Sequence, residues 1–288
     1  MTRGDFRLKF NLSTGANCRE GQNLITTEQD NSAKPSQNQG TESKQPPLYK
    51  EPVAISVTAH AKDRLVNATS FDFASKVSSL PLAAVEFTSA ARSYPIVFSQ
   101  NAPYSPLCIT GIKNGNNLFV DENGQWERNT YIPAYVRRFP FLLLNDGKSD
   151  KMVLGIETTA RRLSKSSGDP LFESGEPSEF LKQALAFCTD YNRQWEASLA
   201  MAKTLNEEGL LIVETSELPL PNKQTLRLGG FKVIDEAKLN NLATDTFIEW
   251  RNRGWLGPIY AHIASIANWP LLVYRSNSSA AVSEPATE

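Results

Sequence analysis

The adjacent pair Arg137-Arg138 is where this chain comes nearest to a recognisable chemistry. A guanidinium is a planar fork of N–H donors that grips a carboxylate or phosphate at two points. Trp126, Tyr131, Tyr135 and Phe139 surround the pair in sequence, so cationic groups and aromatic walls stand close together. That combination suits recognition of a small anionic ligand or of a protein or peptide partner. The competing reading is structural: the arginines pair with Glu86, Asp121 or Glu127, and the aromatics are core. Neighbours on an extended segment point to opposite faces. One arginine is therefore expected inside, near Trp126 or Tyr131 and paired with a carboxylate, and the other outside.

Only two histidines are present. His60 opens the segment His60-Ala61-Lys62-Asp63-Arg64-Leu65, where it would organise a turn by hydrogen bonding or serve as a base. His262 falls on an apolar helical face and reads as a core residue. The candidate binding residues are thus Arg137, Arg138, Trp126, Tyr131 and His60. An enzyme would have to assemble a dispersed site from His60, Arg137, Arg138 and a carboxylate.

Other chemistries lack their residues. Neither histidine has an acid two positions on, and a facial iron triad needs two histidines with a carboxylate. Cys18, Cys108 and Cys188 are too far apart for a zinc site. No Gly-x-Ser-x-Gly elbow, phosphate-binding glycine loop or calcium loop occurs. No metal and no cofactor is expected. A net charge of −1 creates no field favouring nucleic acid or an anionic membrane. The longest apolar runs, such as Ile263 to Ala267, fall far short of the roughly 20 residues that span a bilayer. The segment from Met1 to Gly15 has basic residues but no apolar signal-peptide core. The expectation is a cytoplasmic protein, or one reaching the cell surface by signal-independent export.

The elements that must position these residues divide by type along the chain. Residues 1–46 are polar and low in large apolar side chains, and are expected to be a disordered leader, dispensable for folding. Residues 276–288 read as a disordered tail, leaving 47–275 as one domain. Its first half reads as strands: Val53 to Val57, Leu82 to Phe87, Ile96 to Phe98, Leu107 to Ile112, a hairpin turning at Asn123-Gly124, and Phe139 to Leu144 with Lys151 to Glu157. The short connections favour antiparallel pairing. The second half is mainly helical. Ser178 caps a long amphipathic helix whose face of Leu181, Leu185, Tyr191, Trp195 and Leu199 should pack on the sheet. Strands followed by helices give an α+β fold: a largely antiparallel sheet in the first half, with amphipathic helices packed on it from the second.

Several ordered blocks resemble the bacterial SapC family. They are Glu86-Phe87, Tyr94-Pro95-Ile96-Val97-Phe98, Asn117-Leu118-Phe119-Val120-Asp121 through Gly124 to Trp126, Tyr131-Ile132-Pro133-Ala134, Arg137-Arg138-Phe139-Pro140-Phe141, and the turn from Leu171-Phe172 to Pro177. The resemblance runs over about 50–274 and includes His60. It implies an accessory or binding protein, linked by the family name to crystalline surface layers, their assembly or export. It carries no catalytic residue across.

Overall fold

The computed structural model describes residues 6–9, 26–27, 46–67, 70–113, 115–145, 151–219 and 225–282. The fold is α+β, with antiparallel sheets built mainly by the first half of the chain and helices gathered in the second.

The centre of the main sheet is apolar on both faces. Ile96–Ser99 and Pro106–Ile109 are buried at every position, which is why they read as short continuous apolar runs. They pair antiparallel with Ile96 opposite Cys108 and Phe98 opposite Pro106. Ser79–Pro81 flanks Pro106–Ile109 on the outer side, and Thr225–Ile234 flanks Ile96–Ser99. Leu211–Pro219 forms a long antiparallel ladder with Thr225–Ile234. A smaller sheet joins Pro52–Ala54, Met152–Glu157 and Phe141–Asn145.

The long helix Glu179–Glu207 bridges two hydrophobic clusters. Its Tyr191, Trp195 and Leu205 enter the larger one, and its Leu181 and Cys188 enter the smaller with Phe141, Ile156 and Leu171. Ser178 caps it by accepting from Leu181 N at 3.2 Å, and Gly209 follows its end at a φ of 70°. The buried residues are Leu181, Cys188, Tyr191, Trp195, Ser198, Met201, Ala202 and Leu205, with Ala184 half-buried. Leu185 was expected on that face but is 43% exposed. It follows Ala184 by one residue, a rotation of about 100°, which carries its side chain off the packed line. Leu199 stands in the same relation to Ser198 and is half-buried.

One expected strand is shorter than its pattern, and another does not form. The first stops at Ala54, and Ser56 then accepts from Ala59 N at 3.4 Å to cap the turn Val57–His60. Val53 and Val57 are both exposed, so their alternation marks no buried face. Leu82 to Phe87 leaves the sheet and coils into the helical turns Ala84–Glu86 and Phe87–Ala90. The Asn123-Gly124 turn is present, with Gly124 at a φ of 71°, but it closes a single bridge between Val120 and Trp126.

The expected leader lies largely outside the described residues. Within it, Phe6–Lys9 is a strand pairing parallel with Thr225–Ile234, and Thr26–Thr27 pairs with that strand. At the other end, the helix Trp269–Val282 runs past Ser276, anchored by buried Trp269, Leu272 and Val273. Residues 283–288 of the expected tail lie outside the described residues.

Candidate functional site

Tyr131, Ile132 and Pro133 lead into the short helix Ala134–Arg137. The two arginines therefore sit on a helical turn and not on an extended segment, about 100° apart. They still divide between outside and inside. Arg137 is exposed, and Arg138 is 6% exposed.

The outer arginine is held in place. Its Nε donates to the Ile132 carbonyl at 3.1 Å, and its Nη2 donates to the Tyr131 hydroxyl at 3.1 Å. The guanidinium carbon lies 5.8 Å from the Tyr131 ring centroid and 5.4 Å from that of Phe187. Tyr131 passes the contact inward by donating its own hydroxyl to Glu86 Oε1 at 3.0 Å. Glu86 is buried, and Ala134 N at 2.6 Å and Ala83 N at 3.0 Å also donate to its carboxylate. Burial raises the Glu86 carboxyl above the ordinary carboxylate value, against the pull of those hydrogen bonds and of the Arg137 charge. Burial also pushes the Tyr131 phenol up to about 12, with the Glu86 charge adding to it.

Behind Tyr131 stands a second aromatic relay. Trp126 Nε1 donates to the Tyr94 hydroxyl at 3.1 Å, and that hydroxyl donates to the Tyr131 carbonyl at 2.5 Å. Trp126, Tyr131 and Arg137 thus belong to one hydrogen-bonded line.

The inner arginine points elsewhere. The Arg138 guanidinium carbon is 4.3 Å from the Tyr135 centroid, 4.5 Å from Tyr191 and 5.5 Å from Tyr49. Tyr49 and Tyr135 are themselves fixed, donating to the carbonyls of Phe141 at 2.7 Å and Pro47 at 2.5 Å. Burial pushes the nearby Cys188 thiol up to about 11, with the Arg138 charge acting in the opposite sense. The acids proposed as partners have other roles. Glu127 pairs with Arg275, and Asp121 Oδ1 accepts from Asn123 N and Gln125 N in its own turn.

The SapC family model matches residues 55–272, most of the chain and all of this outer site. The chain belongs to the SapC family. No curated protein and no solved structure matches it.

Within the SapC span, His60 is 8% exposed and turned into its own helical turn, its Nδ1 lying 3.2 Å from both Ser56 N and Ser56 O. Its contacts among the described residues do not reach either arginine. His262 is fully buried, accepts from Ile234 N at 3.1 Å and is lowered to about 3 by burial, despite an opposing interaction with the Ile96 backbone. Among the described residues, no group of three His, Cys, Asp or Glu could hold a metal, and no helix is long and apolar enough to cross a membrane.

Tyr49, Phe187 and Tyr191 line these two environments and were absent from the sequence candidates. Phe187 and Tyr191 lie one turn apart on the long helix, so their periodicity signals a packed face and nothing more. Tyr49 lies some ninety residues from Arg138, and no local pattern joins them.

Proposed function

We propose that this SapC-family chain is a bacterial accessory protein that binds a protein partner or a small anionic ligand through Arg137. The observation that carries the reading is an exposed guanidinium immobilised by Ile132 and Tyr131, while the acid behind Tyr131, Glu86, is occupied by other donors. A surface arginine with only a structural role gains little from such fixing, because exposed ion pairs contribute little to stability. A binding arginine gains directly, because the ordering cost is met before the partner arrives. The setting we infer is surface-layer assembly or export, with the protein working in the cytoplasm or at the cell surface. An enzyme reading would need His60, Arg137 and Arg138 on one face, and their contacts among the described residues lie apart.

The test is cross-linking in the native cells, followed by purification of the wild-type chain and of Arg137→Ala. Mass spectrometry of proteins and small molecules should find a species held by the wild type and lost from the variant, with the thermal midpoint preserved. Equal retention by both chains would remove Arg137 from the binding face.

A further inference from the structure

We infer that the Arg137 face is a carboxylate receptor, reading either a peptide carboxylate or a free small organic acid, and that it discriminates against phosphate. The inference rests on the binding role proposed above and names the chemistry of what is bound.

Guanidinium has five N–H donors. The Nε–H is used on the Ile132 carbonyl, and one Nη2 hydrogen is used on the Tyr131 hydroxyl. The terminal edge, with Nη1 and the second Nη2 hydrogen, remains; among the described residues it meets no acceptor. Two parallel N–H groups on one edge match the two oxygens of a carboxylate. The side edge that would engage further oxygens is closed by the Ile132 carbonyl.

Charge narrows the class further. The Tyr131 hydroxyl separates Arg137 from Glu86, accepting from one and donating to the other. The acid therefore stands behind the guanidinium without filling its outer edge. A single cation backed by a buried acid suits a monoanion. A phosphate carrying about 1.5 to 2 negative charges gains from several cations, whereas this edge belongs to one. On the long helix, Asp190 is one turn from Phe187 and pairs with Arg193.

The walls add an apolar component. Tyr131 and Phe187 are half-buried, leaving part of each ring beside the guanidinium. A carboxylate next to an apolar group would use both parts of this surface.

The experiment follows the Arg137 Nε–H resonance of the full chain by nitrogen-15 NMR, assigned by its loss in Arg137→Lys. The probes are acetate, 3-phenylpropionate, N-acetyl-phenylalanine, its amide, and inorganic phosphate, at constant ionic strength and pH 7. N-acetyl-phenylalanine should shift the resonance at concentrations about tenfold below those phosphate requires, and the amide should leave it unmoved. Tyr131→Phe, which removes the hydroxyl anchor, should weaken the acid several-fold while the fold is kept. N-acetyl-phenylalanine binding more tightly than 3-phenylpropionate, which keeps the ring and carboxylate but lacks the amide, assigns the site to a peptide carboxylate; equal binding assigns it to a free small acid. Phosphate matching the acid, or the amide matching it, overturns the inference. If no carboxylate moves the resonance while Arg137→Ala still loses its cross-linked partner, carboxylate recognition fails and the binding role stands. If both results are negative, both fail.

Discussion

The surroundings of Arg137 and Arg138 are built from the same parts, one helical turn apart. Tyr131 and Phe187 wall the outer arginine, while Tyr135 and Tyr191, each four residues further along its own segment, wall the inner one. The decisive addition is Tyr49, which closes the inner environment and is fastened to Phe141. With that lid the cation becomes part of the core. Without it, a similar cation is presented to solvent and held still. An aromatic wall beside an arginine does not by itself distinguish a site from a packing unit. Closure of the third side does.

Arg138→Ala should have the largest effect. Loss of a buried side chain and its ring contacts should cost about 3–5 kcal/mol, read from denaturant unfolding. A midpoint equal to wild type would mean the inner cage is not a packing unit.

The helix that supplies both walls offers a second contrast. Leu181→Ala should cost about 2–4 kcal/mol, and Leu185→Ala less than about 1 kcal/mol, because only the first faces the core. Equal costs would place both leucines in the same environment and undo the assignment of helix faces.

Acid should loosen the inner region first. Glu157 accepts from Lys50 N, Glu51 N, Thr159 N and the Thr159 hydroxyl, and so holds the segment that carries Tyr49. Burial alone would raise its carboxyl; those hydrogen bonds outweigh it and hold the group below its ordinary value of 4.5. Its folded pKa is depressed, so its stabilisation is present above that ordinary value and is lost as pH falls through the folded one. Wild-type stability should therefore decline below about pH 4.5, and Glu157→Gln should lose less over the same interval. Parallel pH profiles would remove Glu157 from the acid response.

The smallest expected change in stability is that of Arg137→Ala, less than about 1 kcal/mol. Thermal unfolding of this variant beside Arg138→Ala measures the contrast directly. A loss comparable with that of the inner variant would make Arg137 structural as well.

Much of the fold was legible because local patterns and burial agree. Ile96-Val97-Phe98 and Leu107-Cys108-Ile109 are apolar without alternation, and both lie buried in the middle of the sheet. Ser178 and the line through Leu181, Cys188, Tyr191 and Trp195 mark the long helix, whose start and buried side follow from a cap and a period. The Val53-to-Val57 alternation misleads because period-two patterning is informative only where one face is covered, and here neither valine is. Leu185 misleads for a related reason: a one-residue displacement from the buried line is easily lost among steps of three and four.

The arginine pair and its aromatic neighbourhood were legible in the residue order, whereas the division into one inner and one outer guanidinium, expected from an extended backbone, arises on a helical turn instead. The sequence also supplied the blocks that place the chain in the SapC family. Which of the two arginines is buried depends on long-range packing. That packing brought Glu86 behind Tyr131 across 45 positions and Tyr49 over Arg138, contacts that no spacing encodes. Local patterns report the face an element must bury. Which distant side chain closes a cation off from water is set by how the sheets and the long helix come together.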